Sequence, residues 1–424
     1  MIEQDLEKLI GENIEKTEVT KKLSIDGDTR VYPVYKIPID FLYYNDQNGR
    51  INTRYHQHIA EKGKVNPALG ESTYNTLFEN FIYGTTKSEQ KQLEDTQANI
   101  EDRGQQEPGV VLRDGRVIDG NRRLTAIRRW QRKSKIPKYF EAAILPLNID
   151  NKIDKKKIKA LELDLQLGRE ERKSYDPIDR IFDVYNTIKI QKTMNIEEYK
   201  KFSGAKSTRK INKDLRLADL IIKFLKIVSP GGNIDDKFYL ARELKLDGPI
   251  EEIEPALSKL KEDKNNVTDI VLTTLAVQIA SDDVDDRDTT RKIRDIKKNI
   301  LNNPDIKSHY TDATESHVDT LIDYFDDNPI SDAKDLKLRI NQNPDIVNSS
   351  NKLIESTNRL SRKGEKDTSR RQSLTQLQEI RDDLQEMKYD DLKELKQDEF
   401  IEAKDVLVEI RDLAFKLLHG GDEK

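Results

Sequence analysis

The chain has 424 residues, is 35% hydrophobic and 36% charged, and carries a formal net charge of −5 without any cysteine. A chain this long exceeds a single hydrophobic core, so we predict roughly two to four domains. The lack of cysteine excludes disulfides and thiolate metal sites, and the net charge excludes a uniformly basic surface. No apolar run reaches the length of a membrane span and the first residues lack the apolar centre of a signal peptide, so we expect a cytoplasmic protein without a membrane partner.

The first part of the chain predicts a small domain built on a mixed sheet. Residues 1–30 are interpreted as a short amphipathic helix followed by a turn-rich lead. Runs of β-branched and apolar residues predict strands at residues 31–37, 109–112, 116–118 and 140–145. Aromatic residues and turn signals mark residues 64–86 as an insertion that packs on the core. Together these elements predict a domain over residues 31–159.

The most informative segment is residues 110–130, with the sequence VVLRDGRVIDGNRRLTAIRRW. Asp114-Gly115 lies between two short β-branched runs and predicts a hairpin with a type I′ turn, in which Asp114 is a turn residue. The pattern becomes helical at Asn121, directly after Asp119-Gly120. The segment therefore predicts a hairpin that runs straight into a helix.

Gly120 joins the predicted strand to the predicted helix, and a residue without a side chain lets the backbone approach a ligand closely. The first turn of a helix also offers unpaired N–H groups and the positive end of the helix dipole. Arg122 and Arg123 oppose that dipole, an arrangement that makes sense if a phosphate occupies the junction. The alternative is a turn followed by an ordinary solvated helix face.

The segment Gly120-Asn121-Arg122-Arg123-Leu124-Thr125-Ala126 resembles the Gly-Glu-Arg-Arg-x-Arg-Ala signature of ParB proteins, which belong to the ParB/sulfiredoxin superfamily. Three further segments resemble elements of that family in the family's order, namely residues 37–54, 93–112 and 160–185. The resemblance covers about residues 31–226. It implies an α+β fold in which a small mixed-sheet ParB/sulfiredoxin-like N-terminal domain precedes a mostly helical region.

The resemblance also implies a nucleotide site that binds CTP and magnesium. Its residues would be Gly120, Asn121, Arg122, Arg123, Glu162 and Asp164. This chain departs from the family pattern, because Asn121 replaces a glutamate and Thr125 replaces the third arginine. The replaced residues belong to the part of the signature that bears on magnesium binding and nucleotide hydrolysis. The sequence therefore does not decide whether the protein is a CTPase. The sulfiredoxin reaction is excluded, because it needs a cysteine thiolate.

Two segments are rich in cations, residues 122–138 and residues 200–213. Within residues 195–225 the pattern predicts a helix, a tight turn at Ser203-Gly204 and a second helix with Ser207 as N-cap. The apolar residues expected between the two helices are Ile196, Tyr199, Phe202, Ile211 and Leu215. This arrangement resembles a helix-turn-helix, and an ordinary helical hairpin is the alternative. A helix-turn-helix would leave these residues free to contact DNA: Lys206, Thr208, Arg209, Asn212 and Lys213.

Almost everything after residue 160 predicts helix. We divide it into a DNA-binding domain at residues 160–228, a helical domain at residues 234–340 and a tail at residues 351–424. The tail has near-heptad apolar spacing around Leu374 and Leu384, which fits either one helix packed in cis or a coiled-coil dimer. The resemblance implies that the protein is a homodimer.

Three functions are consistent with these patterns. The preferred one is a ParB-like DNA-binding protein with a nucleotide pocket, whose partners would be DNA, a second copy and a partition ATPase or another protein. The second is a metal-dependent nuclease in which Asp119 would hold the metal, since Asp119-Gly120-Asn121-Arg122-Arg123 fits a looser Asp-Gly-x-x-Arg pattern. The third is a non-enzymatic adaptor of a mobile element or defence system. The scattered histidines predict no metal site.

Overall fold

The computed structural model describes residues 4–25, 27–49, 51–84, 86–167, 176–281, 286–387, 389–393 and 395–419. The chain divides into two compact units, Met1–Asn358 and Arg359–Lys424. The first unit contains one mixed six-stranded sheet near its start and is otherwise helical. The predicted α+β class is therefore correct at the level of fold class.

The sheet has the strand order β1-β2-β6-β4-β5-β3. Its strands are β1 (Glu15–Ile25), β2 (Asp28–Pro38), β3 (Tyr43–Tyr44), β4 (Gly109–Leu112), β5 (Arg116–Asp119) and β6 (Tyr139–Leu145). The pairs β1–β2, β2–β6 and β4–β5 are antiparallel, whereas β3–β5 and β4–β6 are parallel. All four predicted strands are confirmed within a few residues.

The interpretation of residues 1–30 as a helix and a turn-rich lead is wrong. Apart from a short 3-10 helix at Leu6–Leu9, this segment contributes β1, which pairs with β2 over most of its length. The register places Ile25 opposite Asp28, so a hairpin connection of two residues joins β1 to β2. Its sequence is Asp26-Gly27, and Asp26 lies outside the described residues. Asp-Gly is the dipeptide favoured in such connections, and it was the signal that could have revealed β1.

The helices follow in chain order, with short 3-10 segments at Ile39–Phe41 and Ile234–Lys237 and π-helical segments at Asn186–Ile190 and Ile296–Leu301. The α-helices are α1 (Asn52–Lys62), α2 (Thr73–Tyr83), α3 (Lys87–Arg103), α4 (Asn121–Ser134), α5 (Lys152–Leu167), α6 (Pro177–Tyr185), α7 (Ile196–Ser203), α8 (Thr208–Val228), α9 (Phe238–Glu243), α10 (Asp247–Lys259), α11 (Lys264–Ser281), α12 (Asp286–Asp295), α13 (Pro304–Asp327), α14 (Ala333–Gln342), α15 (Pro344–Glu386), α16 (Tyr389–Lys393) and α17 (Gln397–Leu418).

The two faces of the sheet are covered by different helices. Val111 and Val117 point to the face covered by α1 to α4, where Phe78 and Leu124 are fully buried. Their strand neighbours, such as Leu112, point to the other face and pack against α5. This alternation follows from the two-residue period of a strand. The junction before α4 and the helix α5 therefore belong to opposite sides of the sheet.

The predicted insertion does pack on the core, because α2 buries Tyr74 and Phe78. The helical prediction for residues 234–340 is also confirmed for the described part of that range, which leaves out residues 282–285. The predicted break at residues 341–351 is wrong in extent. Asn343 alone separates α14 from α15, because Pro344 takes the first helical position, where its missing N–H costs no hydrogen bond.

The second unit consists of helical segments that leave much apolar surface exposed. None of the residues of α17 is buried, and Leu417 and Leu418 are 75% and 79% exposed. Three of the apolar residues near heptad spacing in α15, Leu374, Leu377 and Ile380, are also exposed, and Leu384 is half-buried. Among the described residues, no helix combines the length and apolar character needed to cross a bilayer.

Candidate functional site

The hairpin before Gly120 has the predicted position but another turn. The loop between β4 and β5 has three residues, and Gly115 is the one with positive φ, at +90°. A type I′ turn needs positive φ at both central residues, so that prediction is wrong. Asp114 accepts hydrogen bonds from the Arg116 N–H and the Tyr43 hydroxyl. Its interpretation as a turn residue is confirmed.

Gly120 links β5 directly to α4, as the sequence predicts. It has φ +97° and ψ 17°, a left-handed conformation that L side chains rarely adopt. A Cβ atom at this position would also come within 2.7 Å of the Phe140 ring. The carbonyl of Gly120 accepts the first helical hydrogen bond, from the Leu124 N–H at 2.9 Å. Glycine is therefore required here by the fold itself, whether or not a ligand binds.

Arg123 is held by groups of its own chain. Its Nη2 atom lies 3.1 Å from Asp119 Oδ2, and its Nη1 atom donates to the Glu107 carbonyl. Asp119 is also 3.4 Å from the ammonium of Lys21, a buried residue of β1. The candidate phosphate ligand Arg123 and the candidate metal ligand Asp119 thus neutralise each other within one cluster.

Asn121 and Arg122 occupy the first turn of α4. Arg122 is half-buried and its Nη1 atom lies 3.4 Å from Gln92 Oε1 on α3. The Oδ1 atom of Asn121 is buried and has no hydrogen-bond partner. Thr125, which replaces the third arginine of the family signature, is fully buried and hydrogen-bonded to Tyr44. A charged guanidinium would not fit this position without a large rearrangement.

Glu162 lies on the other side of the sheet, in a buried network of charges. It accepts a hydrogen bond from the Gly49 N–H and lies 3.6 Å from the ammonium of Lys159. Lys159 also contacts Asp183 at 2.6 Å, and Asp183 accepts from the Tyr199 hydroxyl. Burial raises the pKa of Glu162. Burial also opposes the charge of Lys159, but Asp183 and Glu162 outweigh it and raise the Lys159 pKa.

The cavity next to this network is small and polar. Among the residues that line it are Asn45, Lys155, Glu162 and Asn186, and Asn45 Nδ2 is a buried donor without a partner. The enclosed space has room for about one water molecule, far less than a nucleotide needs. Asp164 is half-buried on the same helix. Gly120 is not among the residues that line this cavity, and α4 and α5 pack on opposite faces of the sheet.

The helix pair α7–α8 has the predicted packing. Gly204 ends α7 in the left-handed conformation, at φ +65°. Tyr199, Ile211 and Leu215 are buried in one apolar cluster, with Ile196 and Phe202 packed against it. Ser207 precedes α8 as expected, although its side chain makes no capping hydrogen bond. Apolar contacts thus fix the angle between the two helices.

The cations at the start of α8 face outward. Lys206, Arg209 and Lys210 are exposed, whereas Thr208 and Asn212 are half-buried. Lys213 forms an ion pair with Glu251 of α10 at 2.5 Å. We call the outward residues of this segment the α8 surface: Lys206, Thr208, Arg209, Lys210, Asn212 and Lys213.

A third group of cations was not identified from the sequence. Lys152, Lys156 and Lys157 of α5 line a groove against Phe202 of α7. Lys156 is ion-paired with Glu198. The run Lys155-Lys156-Lys157 was visible as a charge pattern, but its proximity to α7 depends on packing across the chain.

Among the described ranges, no group of three or more histidine, aspartate or glutamate side chains converges as a possible metal site. Comparison of the chain with protein-family models, with curated proteins and with solved structures found no match in any of the three. Its function must therefore be argued from its own residues.

Proposed function

We propose that this chain is a DNA-binding protein in which α7 and α8 act as a helix-turn-helix. The proposal rests on the α8 surface. Its exposed cations belong to a helix pair whose two helices are packed together by buried apolar residues. In a helix-turn-helix the second helix lies in the major groove with its first residues at the base edges. The start of α8 supplies side chains suited to that position.

The side chains of the α8 surface divide into two roles. Arg209 and Asn212 can form paired hydrogen bonds with guanine and adenine edges, respectively. Lys206 and Lys210 carry compact charges that suit phosphates, which fix the orientation of a protein on the duplex. The overall charge of −5 does not oppose this proposal, because binding depends on the local potential.

The proposal is tested by selecting duplexes from a random pool and measuring their affinity at several salt concentrations. We expect enrichment of a defined site and a steep loss of affinity as salt increases. Substitution Arg209→Ala should lower the affinity for the selected site. If the chain retains no duplex even at about 50 mM salt, where phosphate contacts are strong, the proposal is wrong.

We also propose nucleotide binding, with CTP and magnesium as the expected ligands, at the start of α4. The supporting observation is the buried, unsatisfied Oδ1 atom of the half-buried Asn121 beside the left-handed Gly120. Arg122 would contact phosphate, and Arg123 would first have to leave Asp119. Calorimetry with the four nucleoside triphosphates and magnesium should show heat for CTP that Arg122→Ala abolishes. Absence of heat with all four would remove this part of the function.

We further propose that the protein is a homodimer through its second unit. Leu407, Ile410 and Leu417 follow the spacing of a coiled-coil seam on α17, and none of them is buried. Light scattering should give twice the chain mass, and Leu407→Glu combined with Leu417→Glu should restore the monomer. A role in plasmid partition with a partner ATPase rests on the ParB resemblance alone.

A metal-dependent nuclease and a non-enzymatic adaptor remain as alternatives. The nuclease requires Asp119 as a metal ligand, and the contacts of that carboxylate with Lys21 and Arg123 disfavour it. Plasmid cleavage with magnesium or manganese that disappears in Asp119→Ala would support the nuclease. An adaptor would bind a partner protein while showing neither DNA binding nor cleavage.

A further inference from the structure

The groove between the start of α5 and α7 is lined by apolar and basic side chains. The apolar ones are Ile153, Ala160 and Phe202, of which Ile153 is 68% exposed. The basic ones are Lys152, Lys156 and Lys157. We call these three lysines the α5 rim.

The α5 rim adjoins the α8 surface through α7. Phe202 lines the groove and also packs against the apolar cluster that contains Ile211 of α8. Lys201, next to it on α7, holds its ammonium 5.3 Å from the centre of the Phe202 ring. Cations from α5 and α7 thus line the side of the helix pair, next to the helix proposed to enter the groove.

The acidic side chains near the α5 rim are already engaged. Glu198 binds the ammonium of Lys156 and caps the start of α7 through the Asn195 N–H. Asp154 accepts a hydrogen bond from the Asn148 N–H. Within the described ranges Lys152 and Lys157 form no ion pair, so their charges are available to a ligand.

We propose that Lys152 and Lys157 bind phosphates of the same duplex that α8 reads, outside the major groove. The inference rests on the proposed DNA-binding function and adds a second contact region to it. The two lysines are separated by about 7.5 Å along the helix axis. Two phosphate steps along one DNA strand cover about 6.8 Å of duplex axis, so the spacing of the lysines suits two phosphates that are two steps apart. Such contacts strengthen binding without reading sequence.

The test compares the full-length chain with Lys152→Gln/Lys157→Gln on the selected duplex. Loss of two phosphate contacts should make the slope of log affinity against log salt less negative by about 1.8. Discrimination between the selected duplex and a scrambled one should not change, because phosphates carry no sequence information. The matched control is Lys259→Gln/Lys261→Gln, which removes the same charge from exposed lysines at the end of α10 and just beyond it. Its slope should equal that of the unsubstituted chain.

Three outcomes would overturn the inference. An unchanged slope in Lys152→Gln/Lys157→Gln, with discrimination still lost in Arg209→Ala, removes the α5 contact and leaves the helix-turn-helix in place. An equal change of slope in the control variant shows an effect of total charge alone. A chain that binds no duplex under any condition removes both the inference and the proposed function. Circular dichroism of both variants verifies that the substitutions at these exposed or half-buried lysines leave the fold intact.

Discussion

Two basic segments look alike in the sequence and have opposite roles in the fold. Residues 122–138 and residues 200–213 are both dense in arginine and lysine. In the first, Arg128 is fully buried and donates to the carbonyls of Ile39, Leu42 and Gly70. In the second, Lys206, Arg209 and Lys210 remain exposed. One segment holds the domain together, and the other forms a surface.

The difference arises from acidic residues elsewhere in the chain. Arg132 on α4 is bound by Glu71 and by the buried Glu79, which precede it by more than fifty positions. Burial opposes the charge of Arg132, but hydrogen bonds to these carboxylates outweigh it and raise the pKa. A run of cations in a sequence therefore indicates a basic surface only where the fold brings no acids to it.

Among the substitutions that test this comparison, the removal of Arg128 should change the free energy of unfolding most. Arg128→Ala removes three hydrogen bonds to backbone carbonyls, empties the space of a fully buried side chain and takes one of two guanidinium partners from Glu79, so we expect a loss of about 3 kcal/mol or more in unfolding free energy. Urea denaturation measures it. The control Arg129→Ala removes a guanidinium that lies over the Tyr83 ring and should cost about 1 kcal/mol. Equal midpoints for the two variants would contradict the structural role of Arg128.

A smaller loss of stability is expected from Glu79→Gln. The substitution keeps the shape of the side chain but removes the charge that binds Arg132, so we expect a cost of about 2 kcal/mol. A double-mutant cycle with Arg132→Gln isolates the pair, and the coupling should exceed about 0.5 kcal/mol. Additive effects of the two substitutions would show that the ion pair does not stabilise α4.

Substitutions of exposed residues in the second segment, residues 200–213, should change the affinity for DNA and leave the stability of the fold unchanged. Arg209→Ala should weaken binding of the selected duplex by about 1–3 kcal/mol, because an arginine that pairs with a guanine edge is lost. The urea midpoint should not move, since Arg209 is exposed. Arg103→Ala, which removes an arginine that is 69% exposed on α3, is the control for charge. A drop in stability without a change in affinity would assign Arg209 to the fold.

Local patterns were sufficient for much of the fold. The hairpin and helix around Gly120 were predicted because turn residues and periodicity act within a few positions. The contacts between α7 and α8 followed from apolar spacing in the same way. The strand β1 was missed because its charged, largely exposed residues hide the alternation typical of strands. It is a strand because it pairs with β2, and this pairing is not visible in the sequence of β1 alone.

The candidate site was much harder to predict than the fold. The sequence identified Gly120 and Arg123 but gave no indication that Asp119 and Lys21 would occupy the same cluster. It also grouped Glu162 with Gly120, although the helices that carry them cover opposite faces of the sheet. Contacts of this kind join positions far apart in the chain. A pattern within one segment cannot specify them.

The smallest expected effect concerns the ion pair between Lys213 and Glu251, which engages one cation of the α8 surface. Glu251→Gln should cost less than about 1 kcal/mol of stability, because both side chains are more than one third exposed. Freed from the carboxylate, Lys213 can bind a phosphate, so the salt slope should become more negative by up to about 0.9.

The matched control for this prediction is Glu252→Gln, one position further along α10. Glu252 binds Arg294 and Lys297 and not the cations of α8, so its loss should leave the salt slope unchanged. If both substitutions strengthen DNA binding equally, the gain comes from net charge, and Lys213 has no specific place on the duplex. If only Glu251→Gln strengthens DNA binding, pairing with an acid is what keeps a cation from binding DNA. The cations of α4 would then be unavailable because they are paired, and those of α8 available because few acids lie near them.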